Sequence, residues 1–110
     1  MTENTKRAVV IHVMDAPQDM ERAVRTSHAL RESLPDVRIR IVVNGPALTA
    51  VPAAVTAHEL PENVGVAVCA LGLRNHRIAE SDLPDGVEIV PKAPIIIVEE
   101  QLNGAAYLRL

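Results

Sequence analysis

One residue with chemical potential stands alone in this 110-residue chain: Cys69, its single cysteine. It closes the apolar run Val64-Gly65-Val66-Ala67-Val68-Cys69 and precedes a turn of small residues, Ala70-Leu71-Gly72. A lone thiol has no partner for an internal disulfide. It is either core filling, a common fate of unpaired cysteine, or a nucleophile that works on something outside its own chain. Four histidines, His12, His28, His58 and His76, lack the His-Glu-x-x-His spacing of a metal site, and one cysteine cannot supply a thiolate cluster, so no metal site is expected. His12 differs from the others because it interrupts an apolar run near its end, where its ring can reach a group beside Cys69; the alternative is a structural strand histidine. His28 and His58 read as solvated. His76 lies in the basic stretch Arg74-Asn75-His76-Arg77, either a solvated helix face or a hold for an anion such as a persulfide donor. Gly45, Gly65, Gly72 and Gly86 fit neither a dinucleotide fingerprint nor a phosphate loop, and Ser27, Ser33 and Ser81 lack the glycines of a nucleophile elbow. No cofactor is indicated.

The elements that must position these residues alternate between two periodicities. Ala8 to Val13 is a β-branched run and reads as the first strand. Asp15 then offers a helix N-cap, with Pro17 and Gln18 completing a start signal. Met20, Ala23, Val24, Leu30 and Leu34 recur close to every 3.6 residues, Glu21 and Arg25 stand four apart on the wet side, and the helix should stop before Pro35-Asp36. Val37 to Val43 is a second strand, opening with Arg38 and Arg40 between apolar residues, the mark of a partly exposed face at a sheet edge or under an oligomer contact. Asn44-Gly45-Pro46 ends it. Ala47 to His58, broken by Pro52, predicts a short or kinked helix. Val64 to Cys69 is a third strand, Leu71 to Ala79 a short helix, and Val87 to Val90 a fourth strand. Pro94 to Asn103, stopped by Gly104, has the length and ending of a helix, and Ala105 to Leu110 forms a last short strand. This alternation predicts a single α/β domain over residues 1–110: three layers, with a mostly parallel sheet covered by helices on both faces.

In such a sheet the strand ends gather on one rim. That rim would collect His12, Met14 and Asp15, Asn44 and Gly45, Cys69 to Gly72, and Pro91 with Lys92. A thiol where a strand leads into a helix meets backbone N–H groups and the positive end of the helix dipole, both of which favour thiolate. Cys69 is thus the candidate catalytic residue. His12, Asn44, Gly45, Ala70, Leu71 and Gly72 are the candidate binding residues, although Asn44-Gly45-Pro46 is first of all a turn.

Composition narrows the partners. The formal charge is −3, from 11 basic and 14 acidic residues scattered along the chain, and Tyr107 is the only aromatic residue, so neither an electrostatic footprint nor a stacking platform for nucleic acid exists. The first seven residues are polar and the densest apolar stretch, Ile95 to Val98, is too short to cross a bilayer. A cytoplasmic protein with no membrane partner is expected, in a compartment that keeps a lone thiol reduced. A small chain with 48% hydrophobic residues and the ending Tyr107-Leu108-Arg109-Leu110 also suggests apolar surface shared between subunits.

In order and spacing, several segments resemble the small DsrE/DsrF-like (YchN-like) family: Val9-Val10-Ile11-His12-Val13, Ile41-Val42-Val43-Asn44-Gly45-Pro46, Gly65-Val66 leading to Cys69, Asp82-Leu83-Pro84-Asp85-Gly86-Val87-Glu88-Ile89-Val90-Pro91, and Gln101 to Leu108. The resemblance spans nearly the whole chain. It implies an α/β fold with a mostly parallel five-stranded sheet, assembly into trimers or hexamers, and a sulfur carrier whose cysteine, matched here by Cys69, bears persulfide between a donor and an acceptor protein. Relatives often follow that cysteine with an Asn-Thr pair, where this chain has Ala70-Leu71-Gly72-Leu73. The alternative function is a non-catalytic oligomeric module that binds a small ligand or a protein segment, with Cys69 structural.

Overall fold

The β-branched run Ala8–Val13 forms β1, and in the computed structural model, which describes residues 7–57 and 60–110, it is followed by α1 (Gln18–Ser33) and β2 (Arg38–Val43). A 3-10 turn, Gly45–Ala50, runs directly into α2 (Val51–Ala57). Then come β3 (Val64–Cys69), α3 (Ala70–Asn75), β4 (Glu88–Val90), α4 (Ala93–Leu102) and β5 (Ala106–Arg109). All five strands are parallel, where the sequence predicted a mostly parallel sheet, and their order is β4-β3-β2-β1-β5.

The order explains how the layers divide. Three successive connections step in one direction, from β1 to β4, and right-handed crossovers place their helices on one face. The last connection returns past β1 to β5, so α4 falls on the other face. Ile11, Val13, Ile39, Ile41, Val43, Val66 and Val68 pack against Met20 and Val24 of α1 and against Leu48 and Val51. Each such fully buried side chain contributes about 1.5–3 kcal/mol relative to leaving it in water. On the opposite face, Val10, Val42, Ala67, Cys69 and Val90 lie under Ala93 and Ile97 of α4. One ten-residue helix therefore covers what several elements cover on the other side.

The thin face accounts for the arginines of β2. Arg38 and Arg40 alternate with buried isoleucines, but β2 is the central strand, not an edge. Both arginines turn to the α4 side and meet Glu100, which is only 7% exposed: Arg40 donates to it at 2.9 Å and Arg38 at 3.3 Å, and Arg40 also binds Glu88. Partial burial works against the Arg40 charge, yet its hydrogen bonds to Glu100 and Glu88 win and hold its pKa above the ordinary arginine value. This network ties α4 to the middle of the sheet.

Several expected boundaries move. Asp15 does not cap α1, whose N-cap is Pro17; its carboxylate instead pairs with Arg109 at 2.9 Å, a contact spanning 94 residues. Glu21 and Arg25 do form the expected exposed pair, at 2.8 Å. The helix expected over Ala47 to His58 is the 3-10 turn continued by α2, with His58 outside the described residues. The helix expected over Leu71 to Ala79 ends at Asn75, because Arg77 takes a left-handed backbone (φ 57°) and Ile78 N–H turns back to the Leu73 carbonyl.

Candidate functional site

Parallel strands bring the predicted rim together, and two glycines set how tightly. Gly45 has φ 64°, and a Cβ there would lie 2.9 Å from both the Met14 carbonyl oxygen and the Met14 side chain. Gly72 faces the same junction from α3, where a Cβ would come within 2.4 Å of fully buried Leu48 and 3.8 Å of the Gly45 nitrogen. The loops after β1 and β2 thus meet backbone to backbone, and the first turn of α3 closes on the Leu48 side chain beside them. The structure gives Gly45 and Gly72 this packing role at the rim.

His12 and Asn44 form one polar cluster. Nε2 of His12 is 2.9 Å from Asn44 Oδ1 and Nδ1 is 2.7 Å from the Tyr107 hydroxyl. An amide oxygen only accepts, so Nε2–H donates to it, which leaves Nδ1 of the neutral ring to accept the Tyr107 O–H. The ring is 8% exposed and both of its nitrogens are used. Tyr107, the single aromatic residue, was not among the predicted site residues, since nothing local links positions 95 residues apart. Asn44 follows Val43, the register partner of Val68, so it is level with Cys69 on the neighbouring strand. Among the described residues, no hydrogen bond joins this cluster to the thiol.

Cys69 occupies the N-cap position of α3, but its side chain makes no capping bond. The reason is strand parity. Residues 67 and 69 face α4, whereas α3 departs toward the other face, where Leu73 joins the larger core. The sulfur therefore turns away from the α3 N-terminus that was expected to favour thiolate, and points its S–H at the Pro91 carbonyl oxygen, 3.9 Å away. It is packed with Val90, Ala93 and Ile97, and the residue is 7% exposed.

A cleft of about 360 Å³ opens beside it, lined by Ala70, Leu71, Arg74, Ile89, Pro91 and Lys92. Ala70 and Leu71, two of the predicted binding residues, form its wall, and Leu71 is 46% exposed. A larger concavity of about 490 Å³ lies at the other end of the sheet, around Arg38, Arg40, Gly65 and Glu88. Its two arginines are already neutralised by Glu88 and Glu100, so the smaller cleft is the better placed for chemistry. Of the remaining histidines, His28 is exposed on α1 and His76 is half-buried at the C-cap of α3.

No protein-family profile matches the sequence, and no curated protein matches it. Solved structures do. The MTH1491 protein of Methanobacterium thermoautotrophicum, described as a protein of unknown function, superposes with a TM-score of 0.78 at 24% identity, over 94% of this chain and 98% of that one. The YchN protein of E. coli superposes with a TM-score of 0.68 at 22% identity, over 94% of this chain and 99% of that one. The fold is YchN-like.

Proposed function

We propose that this chain is a sulfur carrier in which Cys69 accepts sulfane sulfur as a persulfide and passes it to the thiol of a partner protein. The observation that carries this reading is the position of the single thiol, at the C-terminal end of a central-sheet strand, one residue from an open cleft. In the outgoing step a partner thiolate attacks the outer sulfur of the Cys69 persulfide. A new S–S bond forms, the Cys69 S–S bond breaks, and its electron pair stays on Cys69 as thiolate, so no redox cofactor is required. The cytoplasm is the proposed setting, because its reducing poise keeps a lone thiol free.

Incubation with a persulfide donor followed by intact mass measurement tests this. One added sulfur is expected on the wild type and none on Cys69→Ser; an unmodified wild type, or an equal adduct on the variant, rejects it.

A second reading has its own support in the burial of Cys69 and the turn of its S–H toward Pro91. In that reading the chain is a non-catalytic oligomeric binding module and the thiol fills the space under α4. A native protein whose Cys69 resists a thiol reagent at every pH, and reacts only when unfolded, would favour it.

Under both readings the chain assembles with copies of itself, as a trimer or hexamer. Ile95, Val98 and Leu102 are 54%, 53% and 82% exposed and recur along the outer face of α4, the signature of an apolar stripe with no intramolecular partner. Size exclusion with light scattering should give a multiple of 11.9 kDa for the wild type and a smaller species for Leu102→Glu. A wild-type monomer at micromolar concentration contradicts the assembly.

A further inference from the structure

We propose that the cleft walled by Arg74 and Lys92 is the docking site for a small anionic sulfur donor, the persulfide of a low-molecular-weight thiol that carries carboxylates. This assignment rests on the sulfur-carrier reading of Cys69 and names the class of molecule that would load it.

The first support is an imbalance of charge. Every other described arginine except Arg77 engages a carboxylate or, for Arg31, backbone carbonyl groups. Arg74 and Lys92 make no hydrogen bond or ion pair with any described residue, yet they line the same cleft, which has no carboxylate in its wall. In a chain of net charge −3 this is a local concentration of positive charge left open. The second support is the rest of the lining. Leu71, Ile89 and Pro91 give an apolar floor of a size suited to the stem of a small organic molecule, between cations suited to its carboxylates.

The third support is adjacency. The cleft shares two walls with the thiol: Ala70 is the chain neighbour of Cys69, and the carbonyl of Pro91 faces its sulfur. A donor R–S–SH with its carboxylates on Arg74 and Lys92 presents its sulfurs on the Cys69 side. The Cys69 thiolate attacks the outer sulfur, the new S–S bond gives Cys69–S–SH, and the donor's own S–S bond breaks with its electron pair staying on the inner sulfur, which leaves as R–S⁻. Atoms and electrons balance with no further reagent. The departing thiolate is an anion beside two cations, which favours its release as a charged group.

The test uses S-methylglutathione, which has the carboxylates and no reactive sulfur, and glutathione persulfide as the donor. Both are applied to the wild type and to Arg74→Glu/Lys92→Glu, whose exposed positions leave the core untouched. S-methylglutathione should shift the backbone amide resonances of residues 70–74 and 92 in the wild type, with affinity at least about tenfold weaker in the double variant and at raised salt. The diethyl ester of the probe should not bind. Loading of Cys69 from glutathione persulfide should slow by a similar factor in the double variant. Undiminished probe binding in that variant, absence of binding in the wild type, or equal loading rates in the two proteins overturns the cleft as donor site; equal loading still leaves the sulfur carrier standing. Probe binding that depends on both cations, with no sulfur on Cys69 in any protein, overturns the carrier reading and the loading step and leaves an anion site alone.

Discussion

Gly45→Ala is expected to lower folding stability by about 2–5 kcal/mol, from roughly 1–2 kcal/mol for a side chain in the left-handed region and roughly 1–3 kcal/mol for overpacking. The steric part is severe because the nearest atom is the carbonyl oxygen of Met14, 2.9 Å from the new methyl group. Backbone cannot swing aside as a side-chain end can. In a chain of this size the change corresponds to a fall in melting temperature of roughly 10–20 °C. Gly65→Ala supplies the comparison: nothing lies within 4 Å of its Cβ position, and its backbone is ordinary extended strand. That substitution should stay within about 1 kcal/mol of the wild type. Thermal or urea unfolding of the two variants side by side decides the matter, and equal midpoints would mean that the rim junction is looser than described. Forcing Met14 away from Gly45 also pulls β1 from the end of β2, so the His12–Asn44 bond is the first functional contact at risk.

Glu100→Gln should be comparably damaging, at about 2–3 kcal/mol, somewhat below the roughly 3–5 kcal/mol of a fully buried broken pair. The discount reflects the partners: Glu100 and Arg40 have side chains 10% and 20% exposed, but that of Arg38 is 50% exposed and partly solvated. The amide keeps the shape and loses the charge, leaving Arg40 with Glu88 alone. The effect reaches the thiol because α4 both carries Glu100 and covers Cys69 through Ala93 and Ile97. If opening of α4 governs access, a loss of 2 kcal/mol raises the native-state reaction of Cys69 with a thiol reagent roughly 30-fold. Reagent kinetics and urea unfolding on the same variant test both halves; a destabilised protein with unchanged thiol kinetics would show that Cys69 is reached by another route, such as the cleft.

The strands were legible because burial on both faces leaves an unbroken record in sequence. Ala8–Val13 and Val64–Cys69 are runs of branched and small residues with hardly a polar interruption, and their ends coincide with the observed strands. Helix starts were less legible wherever a distant residue competed with a local signal. Asp15 has the right chemistry and position for a cap, but Arg109 takes its carboxylate across the sheet rim. The basic and apolar alternation of Arg38 to Ile41 correctly indicated a face with incomplete cover. Of the two settings that it allowed, a sheet edge or an oligomer contact, the edge falls because β2 is central, and the partner that meets these arginines, Glu100, lies 60 residues further on, in a helix whose pattern shows nothing of a buried acid.

The candidate site shows the same division. The rim collects as expected once every strand runs one way, and Cys69, Asn44, Gly45, Ala70, Leu71 and Gly72 lie along it. What the thiol faces was not legible from the turn that follows it, since direction depends on strand parity and on which face each helix takes. Arg74 and Lys92 were visible separately, in a basic stretch and at a strand end. Only the pairing of β3 with β4 makes them two walls of one cleft.

The late return of the chain to β5 has a consequence for the kinetics of folding. The strands from β1 to β4 pair in the order of synthesis, each with a neighbour already formed, whereas β5 docks on β1 across nearly the full length of the chain, sealed by Tyr107 on His12 and Arg109 on Asp15. Closing so long a loop is an entropically slow step, and it cannot begin before α4 has emerged. The cover of the second face is a separate contact, made by Ala93 and Ile97 of α4 over Cys69. Tyr107, the single Tyr, Trp or Phe of the protein, takes its place against His12 in that docking, so its fluorescence is a natural clock for the arrival of β5 at the sheet.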